Sequence, residues 1–311
     1  MKVASRPGKY SSVLFYLFVN DEDTPRFLLK VNRTPGYFTA IENEYNNLRY
    51  VYGKFKEGLP QPIFCEKSAD NIIFCETFLK GEQQKKKINS SNVVNWEDIS
   101  FYLEAGLKWL LEFQEATKNT GFVIDDAWIK ENIFNELDKF LKENPAVDLL
   151  LREKLINIAE LIYKHKGVTV PRAVSQGDFD QWNILVDRSK VNVVDWEECV
   201  IKNSVYDDFF MLVFHFAMLY NSGRSEKDNF NEFFTPSGRG YNIFSKMLNT
   251  FSKQHKLPTE LFFVLAPFYV IKAVNKKYPE YRDPVSMPLN SLKALGFVTD
   301  LSWRELNAGK N

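Results

Sequence analysis

The stretch Ser175–Glu198, SQGDFDQWNILVDRSKVNVVDWEE, is the part of this chain that predicts its fold. It places an acid, Asp178, directly after a glycine and an amide side chain, Asn183, five residues later. Two short runs, ILV and VNVV, flank a DRSK turn, and this pattern predicts a hairpin that ends at Asp195. Carboxylate and amide oxygens suit Mg²⁺, and a carboxylate can orient a hydroxyl nucleophile. The spacing therefore indicates phosphoryl transfer.

The motif Asp178-x-x-x-x-Asn183, followed by VDWE at 194–197, resembles the catalytic core of the aminoglycoside phosphotransferase and choline kinase-like family. In that family the motif commonly has the form G-D-x-x-x-x-N-I-L, followed by D-W-E. The resemblance implies an α+β, bilobal protein kinase-like fold. It has a small β-rich N-lobe with one helix and a larger, mainly α-helical C-lobe. Residues 1–79 would form the N-lobe, which covers the nucleotide, and residues 80–311 the C-lobe, which carries the catalytic loop and the acceptor site.

The pattern of the first 76 residues agrees with such an N-lobe. Residues 10–19 and 26–31 are rich in β-branched and aromatic residues and predict paired strands. A helical period follows at about 40–52, and two further short strands are predicted at 62–66 and 71–76. The order β-β-β-α-β-β is that of the small lobe of a kinase.

The polar stretch after Glu76 marks the expected crossing between the lobes. Beyond it, apolar periodicity predicts a mainly helical region with one flexible surface loop. The predicted helices are 96–116, 127–143, 147–165, a helix after Asp207-Asp208, and 257–277, and the predicted loop is 222–240.

Three residues of the motif are the candidates for chemistry. We interpret Asp178 as the catalytic base that accepts the proton of the attacking hydroxyl. Asn183 and Asp195 would hold Mg²⁺ together with the nucleotide phosphates. The structural alternatives are a turn residue after glycine for Asp178, an Asx turn for Asn183 and a helix cap for Asp195.

Lys30 ends the apolar run RFLLK, where a lysine on a half-buried strand either reaches solvent or meets an anion. The resemblance implies that Lys30 meets the α- and β-phosphates and pairs with a glutamate of the next helix. Glu44 is the best match for that glutamate, with Glu42 as a substitute. The alternative is an ordinary solvated edge lysine.

Two further segments would contact the nucleotide. The hairpin at 7–12 is where a phosphate-covering loop would lie, with the backbone amides of Ser11 and Ser12 touching phosphate oxygens, although an ordinary turn fits equally well. The resemblance also implies that backbone groups near Glu76 to Phe78 bind the adenine base.

Several residues near the motif have secondary roles. Of Asp207 and Asp208, one would hydrogen-bond the catalytic-loop backbone; the preceding Tyr206 favours Asp207. The family has a histidine where this chain has Gln176, and a glutamine can also both donate and accept hydrogen bonds. Second-rank candidates for contact with the acceptor are Asp180, Trp182, Glu197 and Glu198.

Composition excludes several functional classes. The chain has 311 residues with 40 basic and 40 acidic side chains, so no global field attracts nucleic acid or an anionic membrane. Three cysteines without metal-ligand spacing indicate a reducing compartment. The N-terminus lacks an apolar segment, and the most apolar run, 261–274, is shorter than the roughly 20 residues of a membrane span. We expect a cytoplasmic protein.

The sequence predicts a small-molecule kinase that uses Mg²⁺ and ATP, or GTP, to phosphorylate a hydroxyl of a sugar, amino alcohol or related metabolite. The alternative is a catalytically weak or inactive relative that binds a nucleotide or a partner in a regulatory role. Asp178, Asn183, Asp195 and Lys30 together favour the enzyme. The sequence selects neither the acceptor nor an oligomeric state.

Overall fold

A computed structural model describes residues 2–5, 12–20, 22–84, 95–221, 223–275 and 292–308. In these residues a small antiparallel sheet with one helix precedes a larger, mainly helical region. The α+β fold class is therefore confirmed.

The N-terminal sheet has five strands in the order β1-β2-β3-β5-β4. Their bounds are β1 Lys2–Ser5, β2 Ser12–Leu17, β3 Phe27–Asn32, β4 Pro62–Ser68 and β5 Asn71–Thr77. All neighbouring pairs are antiparallel, and Lys30 at the centre of the sheet lies opposite Leu14 on one side and Phe74 on the other. Along the chain these strands keep the predicted order, three before the helix at 39–52 and two after it.

Helix α1, Thr39–Tyr52, packs on this sheet through residues that recur at helical spacing. Ile41, Leu48 and Val51 are buried on one face. Glu44 lies on the same face and is also buried, which places a carboxylate inside the apolar contact between helix and sheet. A buried carboxylate requires a partner, and the partner is in the sheet.

Two three-stranded sheets form the frame of the C-terminal region. Sheet β10-β9-β6 contains β6 Glu82–Gln83, β9 Ile184–Asp187 and β10 Lys190–Val193, and sheet β11-β8-β7 contains β7 Asn119–Val123, β8 Thr169–Ser175 and β11 Val200–Ser204. The β9–β10 hairpin confirms the prediction from ILV and VNVV. Strand β8 ends at Ser175, where the catalytic-loop motif begins.

The remaining structure is helical. The helices are α2 Trp96–Ala116, α3 Asp126–Ile129, α4 Asn135–Glu143, α5 Leu149–Leu161, α6 Tyr206–Phe210, α7 Phe216–Leu219, α8 Glu226–Phe234, α9 Tyr241–His255, α10 Thr259–Asn275 and α11 Leu292–Asn307. A π-helical turn, Lys130–Phe134, joins α3 to α4, and another, Met211–His215, joins α6 to α7. Stacked and tilted aromatic rings dominate the core; Phe209 and Phe251 stack with centroids 4.1 Å apart.

The prediction of a flexible loop at 222–240 is wrong. Helix α8 occupies its centre, and Phe230, Phe233 and Phe234 are buried there. These three phenylalanines have helical spacing, and Ser225 caps the helix by accepting a hydrogen bond from the amide of Asp228 at 3.1 Å. Because polar residues surround them, the helical period was not recognised in the sequence. Helices α9 and α11 were not predicted either.

Among the described residues, no single helix is both long and apolar enough to cross a bilayer. Helices α9 and α10 pass that test only as a pair, and they are bent by 103° at the break between them.

Candidate active site

The catalytic-loop motif forms a tight turn between β8 and β9. Gly177 has a φ of +87°, and a Cβ at this position would lie 2.2 Å from the carbonyl oxygen of Glu198. A side chain would therefore be both strained and in collision with the backbone, so the turn requires glycine. The close approach brings the loop that carries Asp178 against the DWEE segment, 195–198.

Asp208 holds the start of the loop. One carboxylate oxygen accepts hydrogen bonds from Ser175 Oγ at 2.7 Å and from the Gly177 amide at 3.0 Å. The other accepts from the Gln176 amide at 2.7 Å. Burial raises the pKa of Asp208, and these three hydrogen bonds oppose the rise. The preference for Asp207 in this role is therefore wrong: Asp208 is the residue that supports the loop.

Gln176 links the loop to the second half of the motif. Its side-chain amide donates to the carbonyl oxygens of Val194, at 3.1 Å, and of Asp195. Its side-chain oxygen accepts from the Asp178 amide at 2.8 Å. The glutamine thus donates and accepts at once, between the proposed base and the proposed metal ligand.

Hydrogen bonds connect the segments that carry the three candidate residues. Asn183 Nδ2 donates to Asp178 Oδ2 at 3.2 Å and to the Asp178 carbonyl at 3.0 Å. The carbonyl of Asn183 accepts from the amide of Val194 at 3.1 Å, which brings Asp195 next to it. Asp178 and Asp195 are half-buried and Asn183 is buried.

Asp195 has an unusual backbone conformation, with a φ of +66°. A non-glycine residue in the left-handed region costs of order 1–3 kcal/mol and persists only where the surroundings hold it. Here the hydrogen bond from Gln176 to the Asp195 carbonyl contributes to holding it. Such strain is common at functional sites and supports Asp195 as a candidate.

The donor set fits a hard cation. Because the amide nitrogen of Asn183 is turned toward Asp178, the amide oxygen is the atom available for coordination. One amide oxygen and one carboxylate, with nucleotide phosphates and water completing the shell, is a set that Mg²⁺ accepts.

Lys30, in the N-terminal sheet, forms a buried cluster with two glutamates. Its ammonium group pairs with Glu44 Oε1 and lies 3.1 Å from Glu76 Oε1. Burial alone would lower the pKa of Lys30, but the charges of Glu44, Glu76 and Asp195 outweigh it and raise the pKa. The lysine is therefore fully charged and lies in the field of Asp195.

The two glutamates share one cation. Burial raises the pKa of Glu44 and raises that of Glu76 to about 7, while the charge of Lys30 opposes both shifts. The predicted substitute Glu42 instead pairs with Lys67 on the surface. The structure therefore pairs Lys30 with Glu44 and not with Glu42.

Helix α1 connects this lysine cluster to the DWEE segment. Glu44 Oε1 also accepts from the amide of Trp196 at 3.3 Å. Asn47 Nδ2 donates to the carbonyl of Trp196 at 2.9 Å, and the Trp196 side chain is fully buried. The position of α1 thus sets both the lysine and the proposed metal ligand.

One backbone group of the expected base-binding segment, Glu76 to Phe78, is already hydrogen-bonded within the protein. The amide of Phe78 donates to the carbonyl of Arg26 at 2.9 Å, so it is not available to a nucleotide base. Glu76 pairs within the sheet, opposite Leu28 and Pro62, and contributes its side chain to the Lys30 cluster. The ring of Phe78 lies edge-on to Tyr16, with centroids 5.8 Å apart.

The two predicted phosphate-contacting serines have different outcomes. Ser12 begins β2 opposite Asn32, two residues beyond the level of Lys30. Ser11 lies outside the described residues.

A contact between Asp180 and His215 beside the loop was not predicted from the sequence. Asp180 accepts from the amides of Trp182 at 2.7 Å and Asn183 at 3.2 Å, and its other oxygen lies 3.1 Å from His215 Nδ1. Both side chains are buried. Asp180 therefore shapes the turn that presents Asn183. His215 is 35 residues away, at the end of the apolar π-helical turn between α6 and α7, and no sequence signal joins the two.

Comparisons with known proteins agree with this geometry at the level of the fold. The sequence matches no family model and no curated protein. Among solved structures, amicoumacin kinase hAmiN in complex with AMP-PNP, Ca²⁺ and Ami is similar with a TM-score of 0.55 at 10% identity, covering 97% of this chain and 88% of that one. The GDP and kanamycin complex of APH(2")-IIia is similar with a TM-score of 0.51 at 11% identity, covering 99% and 94%. This chain therefore has the kinase-like fold that these two phosphotransferases share.

Proposed function

We propose that this protein is a small-molecule kinase that transfers the γ-phosphate of ATP or GTP to a hydroxyl group. The observation that carries the proposal is the convergence of Asp178, Asn183 and Asp195 opposite a charged lysine. Residues 1–79 would cover the nucleotide, and residues 80–311 would carry the catalytic loop and the acceptor site. The similar solved structures contain AMP-PNP in one case and GDP in the other, which supports nucleotide use without selecting the base.

In the proposed reaction Asp178 accepts the hydroxyl proton of the acceptor while the hydroxyl oxygen attacks the γ-phosphorus. The bond from that phosphorus to the bridging oxygen breaks, and the nucleoside diphosphate leaves. Lys30 would hold the α- and β-phosphates, and Glu44 would keep its ammonium group in position. Asn183 and Asp195 would hold Mg²⁺, which, when bound, neutralises the phosphate charge.

One ground for the alternative of an inactive relative is Gln176, which stands where the family has a histidine. The glutamine makes hydrogen bonds to both halves of the motif, so its presence does not disconnect the loop. This favours the active enzyme.

The test begins with a screen of hydroxyl-bearing metabolites and Mg-ATP, read by ADP release. Asp178→Ala should then lower turnover by about 10²–10⁴-fold, the usual contribution of a general base. Nucleotide affinity, measured by calorimetry, should stay nearly unchanged because Lys30 and Asp195 are intact. Asp187→Ala, an exposed aspartate at the end of β9, is the matched control and should keep full activity. Retained transfer in Asp178→Ala would remove that residue from its role.

The metal assignment has a separate test. Asp195→Asn should weaken nucleotide binding in the presence of Mg²⁺ and have little effect in its absence, because the amide is a poorer ligand than the carboxylate. Equal affinity of the variant and the wild type for Mg-ATP would contradict the assignment.

A further inference from the structure

A cavity of about 210 Å³ lies in the C-terminal region, away from the motif. Its walls come from β7, β8, β11, α3, the first π-helical turn, α6 and α10. None of its lining residues belongs to the catalytic loop, 175–183, or to the DWEE segment. Arg172, on its wall, precedes the end of β8 by three residues, which is about 10 Å along the strand. The cavity is therefore distinct from the site described above.

The walls of the cavity are aromatic and flat. Phe122 and Trp128 stack with centroids 4.9 Å apart, and Tyr206 and Phe210 stack at 5.3 Å. Tyr269 packs against Phe210 at 5.0 Å. Such walls favour a planar apolar group, and the volume corresponds to about seven water molecules at 30 Å³ each.

The charged groups on the walls are unbalanced. Arg172, Lys202 and Lys272 are cationic, and Asp207 is the one acid among the lining residues. The Arg172 guanidinium lies 4.9 Å from the centre of the Phe122 ring, and Lys272 donates to Asn132 Oδ1 at 3.0 Å. Three cations against one acid favour an anionic ligand over a cationic one.

A buried hydroxyl also lacks a partner. Tyr206 lines the cavity with a side chain that is 1% exposed, and its hydroxyl oxygen has no hydrogen-bond partner among the described residues. Buried polar groups in proteins are almost always hydrogen-bonded, so this hydroxyl is a donor that a group entering the cavity can use. A phenol can donate to an anion.

We propose that this cavity is a second ligand-binding site for a small aromatic anion that carries one carboxylate or phosphate group. The ring of the ligand would pack on the aromatic walls. Its anionic group would pair with Arg172 and Lys272 and accept a hydrogen bond from Tyr206. This inference does not depend on the proposed function of the motif.

The one acid in the cavity makes binding depend on pH. Burial raises the pKa of Asp207 to about 7, opposed by the charge of Lys272 on α10 and assisted by that of Asp208. Arg172 on β8 and Lys202 on β11 also line the cavity with it. Protonation removes the negative charge that an anionic ligand meets, so affinity should rise as pH falls through 7. Glu131 and Glu136 act on Lys272 and do not line the cavity.

The first experiment is calorimetry of the whole chain with benzoate and phenyl phosphate as probes. Benzamide, a neutral isostere of benzoate, and benzylammonium, its cationic counterpart, are the matched ligands. We expect saturable binding of the two anions, much weaker binding of benzamide and none of benzylammonium. No saturable binding of either anion, or equal binding of benzamide and benzoate, would overturn the proposal without any variant.

Variants assign the contacts. Lys272→Gln keeps a donor for Asn132 but removes the charge, and should weaken benzoate binding about tenfold, as expected for one charge-assisted hydrogen bond. Tyr206→Phe should weaken it severalfold. Asp207→Asn should strengthen binding at pH 8 and abolish its pH dependence. Lys246→Gln, at a lysine of α9 that pairs with Glu104 and does not line the cavity, is the control and should leave the affinity unchanged. Unaltered affinity in both Lys272→Gln and Asp207→Asn would place the probe elsewhere and reject the site.

Discussion

Replacing Asp208 by asparagine tests how the catalytic loop is held. The carboxylate accepts three hydrogen bonds, two at one oxygen and one at the other. An asparagine that keeps its oxygen toward Ser175 and Gly177 places its NH₂ group against the Gln176 amide, so two donors face each other. The substitution keeps the shape of the side chain and removes one buried acceptor.

The expected loss of stability comes from the contact between residue 208 and the Gln176 amide. A lost charge-assisted hydrogen bond and a buried amide left without an acceptor together predict a loss of about 2–4 kcal/mol in the free energy of unfolding. Burying the charge of Asp208 is itself unfavourable, which is why the pKa of this carboxyl is raised. Asparagine removes that cost, so we expect the lower half of the range. Gln176 is also hydrogen-bonded to the backbone of Asp178 and of Asp195. A shift of Gln176 would therefore displace both residues, so turnover should fall together with stability.

The matched control is the substitution of the neighbouring residue, Asp207→Asn. Burial raises the pKa of the Asp207 carboxyl to about 7, and the loop amide of Gln176 donates to Asp208 and not to Asp207. Urea unfolding followed by circular dichroism measures both variants, and ADP release measures turnover. Asp208→Asn should be clearly destabilised and Asp207→Asn should not. Equal stability of Asp208→Asn and the wild type, or equal losses in the two variants, would refute the assignment of Asp208 as the loop anchor.

Three further predictions concern the same region. Gly177→Ala should destabilise the protein by more than about 2 kcal/mol, because it combines a left-handed φ with a Cβ that stands 2.2 Å from a carbonyl oxygen. Gly167→Ala, at φ +89° with open space around it, should show the strain alone, and similar urea midpoints for the two would argue against the collision. Gln176→Glu removes the donor to the Asp195 carbonyl and should lower turnover at least about tenfold, while Gln176→His should retain activity; an active Gln176→Glu enzyme would mean that the donor is dispensable. The pKa of Asp207 is about 7 in the folded protein, well above its ordinary value, so the wild type loses stability as pH rises from about 4 to about 7. Asp207→Asn lacks this titration, and its free energy of unfolding relative to the wild type should grow over that range and then stay level. Parallel pH profiles of unfolding for the variant and the wild type would contradict this.

Local chemistry made much of the fold predictable. The β9–β10 hairpin follows from two β-branched runs around a polar turn, and helix α2 begins and ends at the predicted residues, 96 and 116. Asn95 accepts from the amide of Glu97 at 3.0 Å as the cap of that helix. These features depend on neighbours within a few residues, and a sequence contains that information directly.

Other features depended on how elements pack. Adjacent helical residues point about 100° apart, so the docking of α6 against the loop, and not the sequence, selects Asp208 over Asp207. The same reason separates Glu44 from Glu42, because only Glu44 lies on the face of α1 that meets the sheet. Strand pairing places the side chain of Glu76 beside Lys30, although the sequence suggested only that its backbone binds the nucleotide base.

By itself, the sequence determined which residue types are present for the proposed phosphoryl transfer, and it determined the order of the N-terminal strands and helix and the β9–β10 hairpin, because propensity and spacing act over short distances. Only the tertiary structure decided which acid holds the loop, that Asp180 meets His215, and that aromatic and basic residues from distant elements enclose a second cavity. These outcomes depend on contacts between residues far apart in the chain, where a shift of one residue changes which side chain faces its partner.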